Sequence, residues 1–368
     1  MSSVYVNDYN ESPPCIRCAT YKVTTLKNST IQDVARAAGV STATVSRTLS
    51  HPNIVSTSTK DRVFDAVKLT GYRINRAARN LRTQRAHSIL VLLPDLANPF
   101  FSNILEGISR YLSSKGYSML IASTNQVHTS GELLVDYLDD ARADGMIILD
   151  GGLDAEVVKS LEKASKSKFI LFACEWIEGA NFPSVRSENE EGTRKAIKHL
   201  HSLGHRKIGH VTGPKNNVLA QARKDAFICE FKTLKLELKS QWIISGDFSL
   251  AAGCIAAQAW IALDDRPTAV FCASDQLALG FIAELSRHDY HVPYHVSVMG
   301  FDDIDFSEQY IPSLTSIRQD RFFLGETAAS MLMQRIESPD KDIHDHTVIL
   351  PVSLVIREST APPNLETC

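Results

Sequence analysis

The chain has 368 residues, of which 44% are hydrophobic and 22% charged. That exceeds the ~100 to 200 residues of a typical single domain and excludes a disordered chain, because there is ample apolar material for packed cores. No apolar run approaches the ~20 residues that span a bilayer. The seven cysteines (15, 18, 174, 229, 254, 272 and 368) are odd in number and scattered, unlike a secreted disulfide framework. No basic stretch followed by an apolar core opens the sequence, so no secretory signal is expected and the cytoplasm is the expected location. The overall charge of -3 hides a division along the chain: residues 29–86 carry +7, while everything from residue 87 onward carries -11. A small basic module preceding a large acidic one implies an anion-binding head on an acidic body.

Residues 1–28 show no hydrophobic period and contain Pro13-Pro14, which predicts a disordered leader. Cys15 and Cys18 form a CxxC there, but no second Cys or His pair follows at finger spacing, so no zinc site is expected. From Thr30 the texture changes. Ile31, Val34, Ala35 and Ala38 fall on one helical face until Gly39, with Thr30 as N-cap. Ser41 caps a second short helix with Val45 and Leu49 facing inward. A third runs from about Ser58 to Leu69, with Val63, Ala66, Val67 and Leu69 as its apolar positions. Helix, tight turn and helix within about twenty residues is the helix-turn-helix plan, whose second helix enters the DNA major groove. Thr42, Ala43 and Arg47 then face outward near that helix's start. Arg47 suits guanine O6 and N7, and the Thr44 and Ser46 hydroxyls suit phosphate or base contacts.

Beyond Arg85 short β-branched runs alternate with amphipathic stretches. SILVLLPDL, SMLIAST, GMIILDG, FILFACEW, KIGHVTG, WIISGDF, TAVFCASD and VSVMGFDD are separated by predicted helices at 101–115, 130–142, 154–164, 190–203, 220–235, 249–263 and 276–287. Continuous apolar strands divided by helices predict doubly wound parallel sheets buried on both faces. About nine strands exceed one such unit, so two subdomains with a ligand cleft between them are expected.

The strings STATVSR, GYRINRAARNLRT and PDLANPFF, in that order, resemble the DNA-binding head, hinge and first strand of the LacI/GalR repressor family, and the resemblance extends from about 30 to 360. ANPFFSNILEGI, ACEW, GDF, PTAVFCASDQLALG and IREST are most similar to its cytidine-repressor branch. The resemblance implies an all-α helix-turn-helix head at 29–73, a hinge at 74–86 and a periplasmic-binding-protein-like α/β body at 87–360, followed by a tail at 361–368. Within the body it implies an N-subdomain of about 87–188 and 318–345 and a C-subdomain of about 189–317 and 346–360. The segment Asn75 to Arg82 is too short for a stable isolated helix. By resemblance it folds when two copies pair in the minor groove, with Leu81 as an apolar wedge and Arg79 and Arg82 holding the flanking groove.

For an effector the family pattern falls on Phe100, Phe101, Arg223, Phe248 and Asp302, where aromatic faces pack on a ring while a guanidinium and a carboxylate grip hydroxyls. Each has a plainer reading: Phe100 as core, Asp302 as the cap of a turn. Leu219 stands where purine-binding relatives place a polar threonine, and Ser187-Glu188 where many relatives carry Asp-Asn. Trp176 is either a stacking partner or core. His199, His201, His205 and His210 look superficially like metal ligands, but the first two are two apart on a helix and point apart. No GxSxG, HExxH, P-loop or GxGxxG occurs, so neither catalysis nor a cofactor is expected.

The implied protein is a homodimeric, sequence-specific regulator on pseudo-palindromic operator DNA, controlled by a nucleoside or a sugar. The sign of that control is open. Ten residues follow Glu358, without leucine heptads, so a dimer rather than a tetramer is expected. A binding protein without a transcriptional role shares the body but does not explain the +7 head.

Overall fold

The computed structural model describes residues 29–72, 85–124, 131–339 and 347–364. The chain divides into two compact units, the first containing 29–72 and the second everything described from 85 onward. In the first unit, α1 (Ile31–Ala38) starts where the Thr30 backbone N–H donates to Asp33 Oδ2 at 2.9 Å, and stops at Gly39 with φ 63°. In α2 (Thr42–Ser50), Ser41 Oγ accepts the Thr44 N–H at 3.1 Å, satisfying one of the helix's orphan donors. The third helix, α3 (Thr57–Thr70), ends at Gly71, again left-handed. Val34, Val45 and Val63, one from each helix, are fully buried, with Ala35, Ala38 and Ala66 completing a small core. Leu69 departs from expectation: it is 82% exposed, because it is turned off the stripe that Val63, Ala66 and Val67 form.

The second unit has two lobes, each an open sheet with helices on both faces. The first sheet contains β1 (Ser88–Leu93), β2 (Ser118–Ser123), β3 (Gly145–Ile148), β4 (Ile170–Ala173), β5 (Ser184–Ser187) and β11 (Thr347–Leu350), in the order β11-β5-β4-β3-β1-β2 and parallel throughout. Alternate residues of β1 serve opposite faces. Ile89, Val91 and Leu93 pack against α4 (Phe100–Ser114) and α12 (Arg321–Glu337), whereas Leu90 and Leu92 pack against α5 (Gly131–Asp139) and α6 (Ala155–Lys163).

The second sheet contains β6 (Ile208–Val211), β7 (Ile243–Ile244), β8 (Ala269–Cys272), β9 (Ser297–Asp302), β10 (Thr315–Gln319) and β12 (Val352–Val355), in the order β12-β10-β9-β8-β6-β7. Only β12 runs antiparallel, against β10. Helices α7 (Asn189–Ser202) and α8 (Val218–Thr233) cover one face through Ile197, Leu200, Phe227 and Phe231. The other face is covered by α9 (Leu250–Ile261) and α10 (Asp275–Arg287), and the short α11 (Phe306–Gln309) follows β9. The described residues thus hold twelve strands rather than about nine. The missed ones include β5 (SVRS) and β10 (TSIRQ), too polar to read as buried strands.

The chain changes lobe after β5, after β10 and between β11 and β12. The last crossing corrects the expected boundary, which assigned 346–360 wholly to the C-subdomain. Strand β11 instead extends the first sheet, from Thr347 opposite Ser184 to Leu350 opposite Ser187. The crossing falls at Pro351, which has no N–H to continue a ladder.

Close helix crossings brace the lobes. A Cβ on Gly107 of α4 would lie 2.1 Å from the Phe322 carbonyl oxygen, and one on Gly325 of α12 would lie 2.1 Å from that of Ile104. Only glycine at both positions lets the two backbones approach so nearly. No helix among the described residues is long and apolar enough to cross a membrane.

Candidate functional site: an exposed recognition helix and an acidic cleft

On the first unit, α2 buries Val45 and Thr48 and leaves Thr42, Ala43 and Arg47 exposed. Thr44 and Ser46 are half-buried, and the Thr44 hydroxyl already lies 2.9 Å from Ser41 Oγ. The helix therefore presents an exposed surface of short side chains with one guanidinium, Arg47, in its last turn. Arg79, Leu81 and Arg82 lie outside the described residues.

Between the lobes of the second unit is a cleft of about 510 Å³. It lies at the carboxyl ends of the strands, where an open parallel sheet leaves a crevice. Arg223, in the first turns of α8, is 2% exposed. Its Nε donates to Asn189 Oδ1 at 3.0 Å and its Nη1 to the Ala273 carbonyl, while Nη2 is buried with no partner. The guanidinium sits 3.7 Å from the centroid of the Phe301 ring and its Nη1 3.7 Å from Asp302 Oδ1. Burial pulls the Arg223 pKa down, with Asp302 opposing that shift. Burial pushes Asp302 above the usual carboxylate range, against the pull of Arg223 and Arg321. Gln319 Nε2 also donates to Asp302 Oδ1 at 2.7 Å. An orphaned guanidinium N–H beside a carboxylate is a donor and acceptor pair waiting for a hydroxyl-bearing ligand.

The backbone is bent to suit. Cys174, Phe248 and Asp302 all have positive φ, at 67°, 70° and 117°. For non-glycine residues such conformations cost about 1–3 kcal/mol each and persist only where the surroundings enforce them. Phe248 holds its place because Gly213 has no side chain: a Cβ there would lie 2.2 Å from the ring.

Phe100, Phe101, Leu219, Arg223, Phe248 and Asp302 all line the cleft, so six of the seven residues expected there are brought together. Trp176 is the correction. It does not line the cleft but packs against the first lobe's core with the Arg186 guanidinium 4.2 Å from its ring centroid. Glu175, which follows the left-handed Cys174 and precedes Trp176, lines the cleft instead.

Glu175 is 6% exposed. Its Oε2 accepts the Gly151 N–H at 2.7 Å and its Oε1 accepts Asn217 Nδ2 at 2.8 Å, joining the first lobe to the second. Burial lifts its pKa to about 7, with the two hydrogen bonds opposing. Sequence reasoning missed Glu175, Asn217 and Asn189. A charge directly after the apolar FILFAC run was the available signal for the first. Asn189 stands one residue beyond the Ser187-Glu188 departure and supplies the polar side chain that Arg223 uses.

Comparison with known proteins agrees with this geometry. Residues 30–75 match the family described as "Bacterial regulatory proteins, lacI family", and residues 197–360 match "Periplasmic binding protein-like domain". The chain is 32% identical to the HTH-type transcriptional repressor CytR of Escherichia coli K12, over 90% of this chain and 96% of that protein. The chain belongs to the LacI family. This LacI-family chain is also 32% identical to the repressor PurR of Photobacterium profundum, over 91% and 100% of the two chains. Its structure is similar to that of the lac repressor dimer bound to operator and the anti-inducer ONPF, with a TM-score of 0.81, 30% identity and coverage of 91% and 100%. It is similar also to the CelR–cellobiose complex, with a TM-score of 0.69, 26% identity and 90% of this chain covered. As a member of the LacI family the protein is a DNA-binding transcriptional regulator under small-molecule control, and not an enzyme.

Proposed function

We propose that the protein is a cytoplasmic, homodimeric repressor that grips a pseudo-palindromic operator through Thr42, Ala43, Thr44, Ser46 and Arg47, and that a nucleoside in the cleft controls its affinity. The paired Leu81 side chains wedge a central base step, flanked by Arg79 and Arg82. The observation that carries the effector half is the orphaned, fully buried Arg223 Nη2 beside Asp302 in a cleft walled by Phe100, Phe101 and Phe248. Aromatic faces suit a base, and the guanidinium and carboxylate suit ribose hydroxyls, which both donate and accept. A sugar is the second reading, favoured by the apolar Leu219, which offers a base edge no polar partner. Five of the ten basic residues in 29–86 fall between Arg73 and Arg85 with no acid among them, so the segment that reaches the DNA backbone is the most basic in the chain.

A thermal-shift screen of nucleosides and sugars, followed by operator gel shifts with each hit, tests the reading. A hit raises the melting temperature because it binds the native state alone, and it changes operator affinity. A screen in which neither class shifts the melt refutes the effector assignment.

A further inference from the structure

Asp302 and Asp303 are consecutive non-glycine residues that both have positive φ, at 117° and 54°. With the backbone turned this way the two side chains part company. Asp302 lines the cleft, whereas Asp303 lines a second cavity of about 370 Å³, and Ile304 reaches both. The strained segment persists because its own lobe enforces it. The Asp303 carboxylate accepts Arg318 Nε at 2.6 Å and Arg357 Nη1 at 2.7 Å, and the Asp303 N–H donates to Ser316 Oγ at 3.2 Å. The Ile304 N–H donates to Asp275 Oδ2 at 2.8 Å. The wall that carries Asp302 is therefore fixed to the second lobe, and its distance from the first lobe needs a separate cause.

That cause lies behind the cleft. Arg321 is the first residue of α12, a first-lobe helix, and is 4% exposed. Its Nη1 donates to the Phe100 carbonyl at 3.3 Å within that lobe. Its Nη2 donates across to the second lobe, to the Asp303 carbonyl at 3.1 Å and to Asp305 Oδ1 at 3.2 Å. Asn103 of α4 adds another first-lobe donor to the same Asp305 oxygen, at 3.2 Å. One planar fork thus holds the backbone of a cleft residue in one lobe and the backbone next to a cleft residue in the other, which a single point charge cannot do.

We infer that Arg321 is a positioning residue for the effector site: its guanidinium sets the spacing of Phe100 from Asp302 by gripping the Phe100 and Asp303 carbonyls, and Asp305 with Asn103 is the clasp that closes the grip between the lobes. Arg321 reaches Asp302 electrostatically as well. Burial raises the Asp302 carboxyl, and Arg223 and then Arg321 pull it back. The inference holds for any ligand class in the cleft and so stands apart from the nucleoside reading. Asp305 is the member to test, because its side chain is 76% exposed and makes no capping hydrogen bond to α11. Exposed ion pairs contribute little to overall stability, so its removal should loosen the lobes without unfolding them.

Hydrogen exchange followed by mass spectrometry on the full-length protein, with no ligand added, tests this. The Gly151 N–H is held by Glu175, and the Leu219 and Ala220 N–H groups by Asn217, on either side of the Glu175–Asn217 hydrogen bond that joins the lobes. None of these residues hydrogen-bonds to Asn103, Asp305 or Arg321, so their exchange reports opening of the cleft rather than loss of a local contact. Asp305→Ala should speed exchange in peptides spanning 149–152 and 216–220 by at least about threefold, with the melting temperature within about 2 °C of wild type. Asp305→Glu should restore wild-type exchange. Arg321→Lys, its fold checked by circular dichroism, keeps the charge but cannot hold three acceptors at once, and should open the cleft as much as Asp305→Ala does. If that variant does not fold, the two Asp305 variants decide. Faster exchange confined to 303–309 makes the clasp a local surface contact and overturns the inference. Exchange that rises equally throughout both lobes, or that Asp305→Glu leaves as fast as Asp305→Ala, overturns it too.

Discussion

Gln276 Nε2 donates to Asn98 Oδ1 at 2.9 Å, tying the first turn of α10 in one lobe to the loop before α4 in the other. Together with the Asn217–Glu175 hydrogen bond it makes a second polar link between the two lobes, and the pair acts as a latch. A hydrogen bond between uncharged groups contributes about 0.5–1.5 kcal/mol net. Gln276→Ala is therefore expected to change effector affinity by roughly two- to tenfold, with little change in melting temperature. Titration of wild type and variant with the same ligand checks this, and affinities equal within experimental error argue against a latch.

Arg223 is the opposite case, because its partners are buried with it. Removing one member of a buried ion pair strands the other and typically costs about 3–5 kcal/mol. Arg223→Ala should lower stability by that order in urea unfolding, leaving Asp302 without its cation and Asn189 Oδ1 without its donor, and should abolish the response to effector. Arg223→Lys keeps the charge but loses the fork that reaches Asn189 and Ala273 together, so it should fold better yet still fail to respond. A full ligand response from Arg223→Ala would remove the residue from the site.

The crossing of α4 and α12 yields a prediction that concerns the scaffold alone. Gly107→Ala puts a methyl 2.1 Å from the Phe322 carbonyl oxygen, so the helices must separate. Overpacking of this kind costs typically about 1–3 kcal/mol, and here it meets rigid backbone rather than a mobile side chain. Gly116→Ala has nothing within 4 Å of its new methyl and is strained only by its φ of 75°. Denaturant midpoints of the two variants compare the effects, with Gly107→Ala expected to be the more damaging.

Burial raises the Glu175 carboxyl to about 7, so the native state holds its proton more tightly than the unfolded chain does. The stability this contributes is complete below the ordinary carboxylate range and is lost as pH rises through about 7. Glu175→Gln lacks the titration. Between about pH 5 and about pH 8 the wild type should lose stability relative to the variant. Asp275 and Asp302 are also raised, burial being the first cause for each, and they are present in both proteins, so the difference isolates Glu175. A gap between wild type and variant that does not move with pH refutes the assignment.

Operator binding separates contact from wedge. Arg47→Ala removes a base contact worth about 1–3 kcal/mol and should relax sequence preference. Leu81→Ala should weaken operator binding at least tenfold; an ordinary linker predicts no change. Gel-shift titrations on matched and scrambled operators distinguish the two roles.

Much of this was legible in the sequence for a simple reason. Helix caps, turns and alternating apolar runs are local, and Thr30, Gly39, Ser41 and Gly71 mark the head as plainly in the chain as in space. The alternation of apolar strand and amphipathic helix likewise specified two sheets covered on both faces. Phe100, Arg223, Phe248 and Asp302 were anticipated through the resemblance to the LacI/GalR family, whose pattern falls on them. The charge of each segment was fixed by composition, and it already separated a basic head from an acidic body.

Only the tertiary structure decided which side chains share the cleft. Trp176 and Glu175 are neighbours in the chain, and a single left-handed residue, Cys174, determines which of them faces inward. Asn217 looks like an ordinary N-cap until the fold carries it to Glu175, 42 residues away, in the other lobe. Strand β11 reads like any short exposed segment, yet pairing with β5 returns the chain to the first sheet. These are long-range outcomes, set by which surfaces can be buried together and which buried polar atoms must find partners. No spacing along the chain records them.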